Sequence, residues 1–314
     1  MGASTSHHTV KELDHEKRQV PYLEGKDDYI KSSDNLWIYT KSWMPQGKPK
    51  ANIFILHGFA EYSEKYEPVA RVLNGEGYAV FCHDHQGFGR SEGDRAYVEN
   101  FADYVEEFFA FHAVVMDKHP ELASLPTIIW GHSMGGLIAF YTVLKAQKDN
   151  VKISGVILTC PSFKPEPKTT RPINIFLLSI LRPIVPKFAV PWEKGPLSRH
   201  PLTHDTKIQQ EFEADPICYH GGLRIRWGSE MFHKIQQMDK RIDEFVHPFL
   251  LFHGTEDKIA DIEGSRSFYQ RSRAEDKTYK EIEGAYHELH NELPPMKDVF
   301  LKEMKDWLRR QTSA

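Results

Sequence analysis

The fold class is decided by the stretch WGHSMGG, residues 130–136. An apolar run, residues 126–130, predicts a buried strand before it, and the apolar pattern over 137–144 predicts a helix after it. Between them lies Gly-x-Ser-x-Gly, which is typical of a sharp elbow that exposes a nucleophilic serine. Gly131 and Gly135 leave room where side chains would collide. We therefore interpret Ser133 as a nucleophile rather than as part of an ordinary glycine-rich turn.

Strands and helices alternate on both sides of this elbow. A hairpin is predicted over 28–43, and short apolar runs predict buried strands at 53–56, 78–82, 153–158, 249–252 and 277–282. Helical patterns lie between several of them, at 66–73, 100–118, 229–244 and 299–309. The sequence therefore predicts an α/β fold with a mostly parallel central sheet flanked by helices.

A proline-rich segment interrupts the alternation at residues 161–225 and predicts an inserted lid. The expected organisation is a flexible arm at 1–26, a first core part at 27–160, the lid at 161–225 and a second core part at 226–314. Inside the lid, the apolar run from Ile173 to Leu181 is too short to span a bilayer. It predicts either the inner wall of the lid or a surface that contacts lipid.

Composition excludes several classes of function. The formal net charge of −4 provides no long-range attraction for nucleic acid or for anionic membranes. The three cysteines, Cys82, Cys160 and Cys218, form no CxxC pair, which indicates reduced thiols and a cytoplasmic protein. No apolar stretch is long enough for a membrane span, and the polar first 26 residues do not resemble a signal peptide.

The N-terminus carries a short acylation pattern. Residues 1–6, MGASTS, fit M-G-x-x-x-[S/T], so Gly2 is a candidate for N-myristoylation. The alternative is an ordinary polar terminus. A myristoyl group on Gly2 would act together with the lid to give peripheral membrane association.

The candidate triad comes from three strand ends in the order Ser133, Asp257, His287. This is the chain order of α/β-hydrolases. A serine hydroxyl needs an imidazole to take its proton, and the imidazole needs a carboxylate to hold its tautomer. Glu256 and Asp261 compete with Asp257 for the last role, and we prefer Asp257.

Two backbone N–H groups are candidates for an oxyanion hole. Met134 opens the helix after the nucleophile, where its N–H has no intrahelical acceptor. Phe59 follows the strand that ends at His57-Gly58, in a loop at the sheet edge where ligands bind. The alternative for this loop is a plain strand–helix connection.

A second histidine cluster follows the strand at 78–82. His83, Asp84 and His85 suggest a metal site, but further ligands at usable spacing are missing from the pattern. Asp84 is better explained as a hydrogen-bonding tie within its loop. We therefore expect neither a metal nor a cofactor.

Beyond these patterns, the chain resembles a known family in several motifs that occur in the same order. They are HGFAEYSEKY, HDHQGFGRSEG, GHSMGG, GTEDK and EGAYHELHNELP, within residues 28–307. These motifs are similar to those of monoacylglycerol lipases and the lysophospholipases grouped with them. The resemblance implies an α/β-hydrolase with a lid, cofactor-free cleavage of a one-chain lipid ester, and peripheral membrane contact.

The resemblance also implies roles for individual residues. Ser133, Asp257 and His287 match the family's triad, and Phe59 and Met134 match its oxyanion donors. Glu61 and His290 match groups placed near the glycerol head. At the position of the family's arginine stands Lys65, which cannot make the same planar fork of hydrogen bonds.

We further expect Lys65 to lie one helical turn after Glu61 and to pair with it. Three functions remain open at this point: a monoacylglycerol lipase, a lysophospholipase or acyltransferase that uses the same triad, and a non-catalytic ligand receptor on a hydrolase fold. If Glu61 and Lys65 were paired, they would leave little net positive charge to bind the phosphate of a lysophospholipid. This favours the monoacylglycerol lipase. The triad argues against the third.

Overall fold

The computed structural model describes residues 17–18, 28–164, 180–190 and 200–312. Gly2 lies outside these residues, as does most of the apolar run of the predicted lid, including Ile175, Phe176, Leu177 and Leu178. The boundaries of the arm and lid therefore stay predictions.

An eight-stranded sheet forms the centre of the molecule. Its strands are β1 (Tyr29–Lys31), β2 (Trp37–Trp43), β3 (Asn52–Leu56), β4 (Ala79–His83), β5 (Thr127–His132), β6 (Gly155–Thr159), β7 (Phe249–Gly254) and β8 (Lys277–Ile282). The spatial order is β8-β7-β6-β5-β3-β4-β2-β1. Strand β2 runs antiparallel to β1 and β4, and the other neighbours are parallel. The prediction of a mostly parallel α/β sheet is confirmed.

Helices cover both faces of this sheet, because its central strands are apolar on both sides. They are α1 (Glu67–Gly75), α2 (Phe101–Lys118), α3 (Met134–Lys148), α4 (Thr206–Ala214), α5 (Ile225–Asp239), α6 (Ile262–Arg271) and α7 (Met296–Thr312). One core joins Phe54 and Phe81 to α2, α3, α5 and α6. The other joins Ile53 and Ile55 to α1 and α7.

The helix predicted at 229–244 differs most from its observed bounds. Helix α5 begins at Ile225 and ends at Asp239, and a separate 3-10 turn covers Ile242–Glu244. Its side chains reach the helices of the first core part: Glu230 accepts a hydrogen bond from the N–H of Phe101 at the start of α2. Helix α5 therefore packs against the start of α2.

Within the described ranges, no helix is both long enough and apolar enough to cross a bilayer. A short antiparallel pair, Lys17–Arg18 with Gly93–Asp94, joins part of the N-terminal region to the loop after β4.

Candidate active site

Ser133 sits at the turn between β5 and α3 with φ 53° and ψ −117°. A non-glycine residue rarely adopts this conformation, and such strain clusters at functional sites. The turn is tight because α3 crosses β3: a Cβ on Gly135 would overlap the carbonyl oxygen of Leu56. The N–H of Ser133 donates to the carbonyl of Thr159 on the neighbouring strand (3.0 Å), which fixes the strained residue to the sheet.

Asp257 and His287 come together at the adjacent strand ends. Nδ1 of His287 lies 2.7 Å from Oδ2 of Asp257. The other carboxylate oxygen of Asp257 accepts hydrogen bonds from the backbone N–H groups of Ile259 (2.7 Å) and Ala260 (3.1 Å). The carboxylate is thus held in place by its own loop, and its second oxygen faces the imidazole. We refer to Ser133, Asp257 and His287 as the triad cluster.

The loops that carry these two residues are hydrogen-bonded to each other. The N–H of Thr255 donates to the carbonyl of Ile282 (3.1 Å), and the N–H of Glu256 donates to that of Ala285 (3.0 Å). A side chain on Gly254 would overlap the carbonyls of Ala285 and Tyr286. The close approach of the loops therefore depends on glycine at the end of β7.

Burial and charge act against each other in this pair. Burial by itself would raise the pKa of Asp257, but His287 and His253 outweigh burial and hold this pKa well below its usual range. Burial would lower the pKa of His287, and Asp257 outweighs that effect and raises it. The carboxylate is therefore ionised and stabilises the imidazolium.

The two competing carboxylates lie elsewhere. The side chain of Glu256 points into solvent and pairs with Lys258 at 3.0 Å. Asp261 caps the N-terminus of α6, where it accepts a hydrogen bond from the N–H of Glu263 (2.9 Å). The structure brings only Asp257, among these three, to the imidazole of His287.

The loop after β3 borders the nucleophile. A Cβ on Gly58 would lie 3.2 Å from the Cβ of Ser133, so the backbone before Phe59 passes directly beside the serine. Met134 is the first residue of α3, where its N–H lacks an intrahelical acceptor. Both predicted oxyanion donors therefore belong to segments that border Ser133.

Glu61 is buried beside this loop. Its carboxylate accepts hydrogen bonds from the N–H of Gly58 and from the hydroxyl of Tyr66 (2.9 Å). Burial, and then the neighbouring Glu288, raise the pKa of Glu61 to about 8, against the opposing effect of these hydrogen bonds. This carboxyl group can therefore carry a proton near neutral pH.

The expected pair between Glu61 and Lys65 is wrong. Nζ of Lys65 lies 2.8 Å from Oδ2 of Asp215, which also accepts a hydrogen bond from the hydroxyl of Tyr62 (2.8 Å). The spacing argument failed because no continuous helix joins the two residues: Tyr62 is extended (φ −161°, ψ 171°), and the following turn is a short 3-10 helix.

His290 packs against Tyr66, whose hydroxyl donates to Glu61. Its ring stacks on Tyr66 with centroids 4.9 Å apart, and it meets the ring of His132 at 5.4 Å. Burial lowers the pKa of His290 to about 3, so the ring is neutral. In the described part of the chain, neither ring nitrogen has a hydrogen-bond partner. We refer to Glu61, Tyr66, Glu288 and His290 as the head-group cluster, after the role that is proposed for it below.

Two sets of described residues have the atom spacing of a metal site. His83, His85 and Glu107 place one ligand-type atom each within 4.8 Å of the others. Glu107 also accepts a hydrogen bond from the side chain of Gln86 (2.9 Å), which makes it part of a buried polar network. As expected, Asp84 ties its loop together by accepting from the N–H groups of Ser63 and Arg90, each at 2.7 Å.

The second set combines Cys160 with Asp257 and His287. Two of these three residues already form the hydrogen bond of the triad cluster. Cys160 is a buried free thiol at the end of β6.

Two residues near the triad, His253 and Ser162, are not among those predicted from the sequence. Nε2 of His253 lies 3.3 Å from Oδ2 of Asp257, and its Nδ1 lies 2.7 Å from the hydroxyl of Ser265. The hydroxyl of Ser162 lies 3.4 Å from that of Ser133. The sequence could have indicated His253 as a neighbour of the triad, because it lies at the end of the strand that precedes Asp257. Ser162 follows a different strand, β6, and no motif links it to Ser133.

With this geometry in place, the chain can be compared with known proteins. The family described as "Serine aminopeptidase, S33" matches residues 47–294. Monoglyceride lipase from Homo sapiens is 30% identical over 297 residues, which cover 95% of this chain and 94% of that protein. The chain therefore belongs to the S33 family. It is a carboxylic ester hydrolase of the serine hydrolase type, which confirms the recognition made from the motifs.

Solved structures agree with this assignment. The monoacylglycerol lipase of Paleococcus ferrophilus matches with a TM-score of 0.73 and 26% identity, over 87% of this chain and 99% of that one. A soluble variant of monoglyceride lipase from Saccharomyces cerevisiae, solved with a substrate analogue, matches with a TM-score of 0.80 at 22% identity, over 94% and 98%. The α/β-hydrolase fold is thereby confirmed.

Proposed function

We propose that the protein hydrolyses monoacylglycerols to a free fatty acid and glycerol through an acyl-enzyme. The observation that carries this proposal is the 2.7 Å hydrogen bond between Asp257 and His287 beside the strained elbow of Ser133. The similarity to monoglyceride lipases over nearly the whole chain supports the choice of substrate.

The reaction proceeds in two halves. His287 takes the proton of the Ser133 hydroxyl, and the freed oxygen attacks the ester carbonyl. The N–H groups of Phe59 and Met134 stabilise the negative charge on the carbonyl oxygen. The intermediate then breaks its bond to glycerol, which leaves with the proton from His287. Water, activated by the same imidazole, attacks the acyl-enzyme and releases the fatty acid and the serine.

The head-group cluster supports a neutral, hydroxyl-bearing alcohol portion. Glu61 offers a carboxyl group, and His290 offers a neutral ring with two unpaired nitrogens. The charge of Lys65 is balanced by Asp215, whose carboxylate lies 2.8 Å from the Lys65 ammonium group. A phosphate needs charge-assisted hydrogen bonds from cations that are free to make them. Monoacylglycerols should therefore be preferred over lysophosphatidylcholine with the same acyl chain.

A lipid panel tests this proposal. The purified protein is assayed on a monoacylglycerol, a diacylglycerol, lysophosphatidylcholine and a short nitrophenyl ester, with glycerol added in a parallel set to detect acyl transfer. Monoacylglycerol should give the largest kcat/KM among the lipids, with free fatty acid as the product. A faster lysophosphatidylcholine reaction, or a product formed by acyl transfer, would assign the triad to a different reaction. If Ser133 does not react with a fluorophosphonate, the proposed mechanism with Ser133 as the nucleophile is wrong.

We also propose that the lid region contacts lipid surfaces. In residues 180–190, four apolar side chains are exposed: Ile180, Ile184, Val185 and Phe188. Such a group of exposed apolar side chains is typical of an interaction surface. A myristoyl group on Gly2, which the sequence pattern predicts, would add a second anchor for a cytoplasmic protein at the membrane.

A further inference from the structure

His253 is a buried histidine beside the carboxylate of Asp257, and the mechanism described above gives it no task. It lies near the end of β7, four residues before Asp257, and its side chain is fully buried. Burying an imidazole costs free energy unless its nitrogens find hydrogen-bond partners. The partners of His253 therefore indicate its role.

Both nitrogens of the His253 ring have close polar neighbours. Nδ1 lies 2.7 Å from the hydroxyl of Ser265 on α6. Nε2 lies 3.1 Å from the carbonyl oxygen of Ala260 and 3.3 Å from Oδ2 of Asp257. The ring thus joins three segments of the chain: the end of β7, the loop that carries Asp257, and α6.

These contacts decide which nitrogen of His253 carries a hydrogen. A carbonyl oxygen can only accept a hydrogen bond, and the same is true of an ionised carboxylate. Because both groups beside Nε2 are acceptors, Nε2 carries a hydrogen and donates it. A hydroxyl group can donate as well as accept, so Ser265 is a suitable partner for the unprotonated Nδ1 of a neutral ring. The neighbours of the ring therefore place an N–H group beside Oδ2 of Asp257.

This N–H group adds a fourth donor around the Asp257 carboxylate. Oδ1 accepts hydrogen bonds from the backbone N–H groups of Ile259 (2.7 Å) and Ala260 (3.1 Å). Oδ2 lies 2.7 Å from Nδ1 of His287. A carboxylate has about four acceptor sites, and His253 is placed to fill the one that remains. The low pKa of Asp257, to which His253 contributes, agrees with this arrangement.

The same ring also holds the loop that carries the carboxylate. Ala260 donates its N–H to Oδ1 of Asp257, and its carbonyl oxygen faces Nε2 of His253. Asp257 has to keep one orientation, because its hydrogen bond holds His287 in the tautomer that takes the proton from Ser133. A side chain whose rotation is limited by hydrogen bonds on both oxygens meets this requirement.

We propose that His253 is a positioning residue of the active site, which fixes the Asp257 carboxylate through its Nε2–H in the orientation that His287 requires. This inference rests on the proposed function for the roles of the triad cluster. It adds a residue that acts through Asp257 and not through the substrate. Loss of this N–H should therefore slow the chemical steps on every ester, rather than weaken the binding of one.

Two similar substitutions separate this role from a purely structural one. The amide nitrogen of His253→Gln reaches about as far as Nε2 and can still donate to Asp257, whereas the shorter amide of His253→Asn can pair only with Ser265. His253→Asn should lose about tenfold in kcat on both monoacylglycerol and the short nitrophenyl ester, with KM within about twofold, as expected for one lost hydrogen bond to a charged group. His253→Gln should recover most of this loss.

Ser265→Ala is the matched control. It removes the other hydrogen bond of the same buried ring, so it should lower the melting temperature, but kcat should stay within about threefold because Nε2 keeps both of its acceptors. If His253 served only the fold, the three variants would lose activity in proportion to their melting temperatures. That result would overturn the inference, as would equal kcat values for His253→Gln and His253→Asn or a kcat for His253→Asn like that of the wild type.

A measurement on the wild type tests the inference even if a variant does not fold. In nitrogen NMR of protein with isotope-labelled histidine, Nε2 of His253 should carry a hydrogen throughout the pH range in which the enzyme is active, and a bare Nε2 would overturn the inference. The short ester separates this inference from the proposed function. If the wild type cleaves the short ester but no monoacylglycerol, the proposed substrate is wrong and the effect of His253→Asn can still be measured. If both esters are cleaved and His253→Asn is unimpaired, only the inference fails.

Discussion

The triad cluster and the head-group cluster lie side by side, yet the pKa values of Asp257 and Glu61 are shifted in opposite directions. Asp257 accepts hydrogen bonds from two backbone N–H groups of its own loop, and His287 and His253 lower its pKa despite burial. Glu61 has a second carboxyl group as a neighbour, and its pKa is raised. Burial is common to both, so the difference comes from the partners.

This difference separates the tasks of the two clusters. A carboxylate that is fixed by its own loop keeps one charge state and one orientation, which general base catalysis by His287 requires. A carboxyl group that carries a proton can donate a hydrogen bond to a hydroxyl as well as accept one. Substitutions in the head-group cluster should therefore leave the chemistry of the triad cluster intact. Substitutions in the triad cluster should lower the rate without altering which substrate binds.

Replacing Ser133 with alanine should have the largest effect. Ester hydrolysis should fall by about 10⁴-fold or more because the nucleophile is lost. The folded state should persist, since alanine removes only an oxygen and the strained backbone is held by the hydrogen bond to Thr159. The measurement is the hydrolysis of the short ester and of monoacylglycerol, with a melting curve as the control. Turnover close to that of the wild type would contradict the mechanism.

The pH dependence of the short ester should report the triad cluster alone. His287 must be neutral to take a proton from Ser133, and Asp257 raises the pKa of His287. Activity should therefore be lost as pH falls through a value above 6.5, the ordinary histidine pKa, with about a tenfold loss per pH unit below it. The check is a profile of kcat/KM on the nitrophenyl ester. A midpoint below 6.5 would show that burial outweighs Asp257.

Changes in the head-group cluster should affect one substrate only. Glu61→Gln and His290→Ala should each lower kcat/KM on monoacylglycerol by about ten- to hundredfold, the order expected for lost hydrogen bonds to a polar group. The glutamine keeps an acceptor for the N–H of Gly58, so the short ester should be little affected. The control is Glu67→Gln, which changes a partly exposed acid that is paired with Arg71. A parallel loss on both esters would mean that Glu61 acts through the oxyanion loop.

The sequence could predict the triad cluster better than the head-group cluster for a physical reason. Each triad residue lies in the turn or loop after a strand, and parallel strands end at one edge of the sheet, so their order alone brings them together. Lys65 was placed by helical spacing, and this failed because Tyr62 is extended and Asp215 comes from a distant segment.

The smallest effect should come from the exposed apolar side chains at residues 180–190, which belong to neither cluster. Ile184 and Phe188 expose 68% and 54% of their surface, although the carbonyl of Phe188 is held by a hydrogen bond from the N–H of Ile225 (3.0 Å). The backbone is thus anchored while the ring faces outward. The double variant Ile184→Ser, Phe188→Ser should weaken binding to phosphatidylcholine vesicles by about fivefold, since only part of each side chain leaves water.

The matched control for this variant is Val246→Ser, which removes an apolar side chain that is 47% exposed outside the lid region. If residues 180–190 contact lipid, the double variant should lose hydrolysis of vesicle-bound monoacylglycerol in proportion to its binding and keep full activity on the short ester, whereas Val246→Ser should keep both. Because neither cluster is altered, the acidic limb of the pH profile on the short ester should also stay in place. A loss of short-ester activity would show that the segment supports the site itself, and equal vesicle binding by all three proteins would remove the proposed membrane contact.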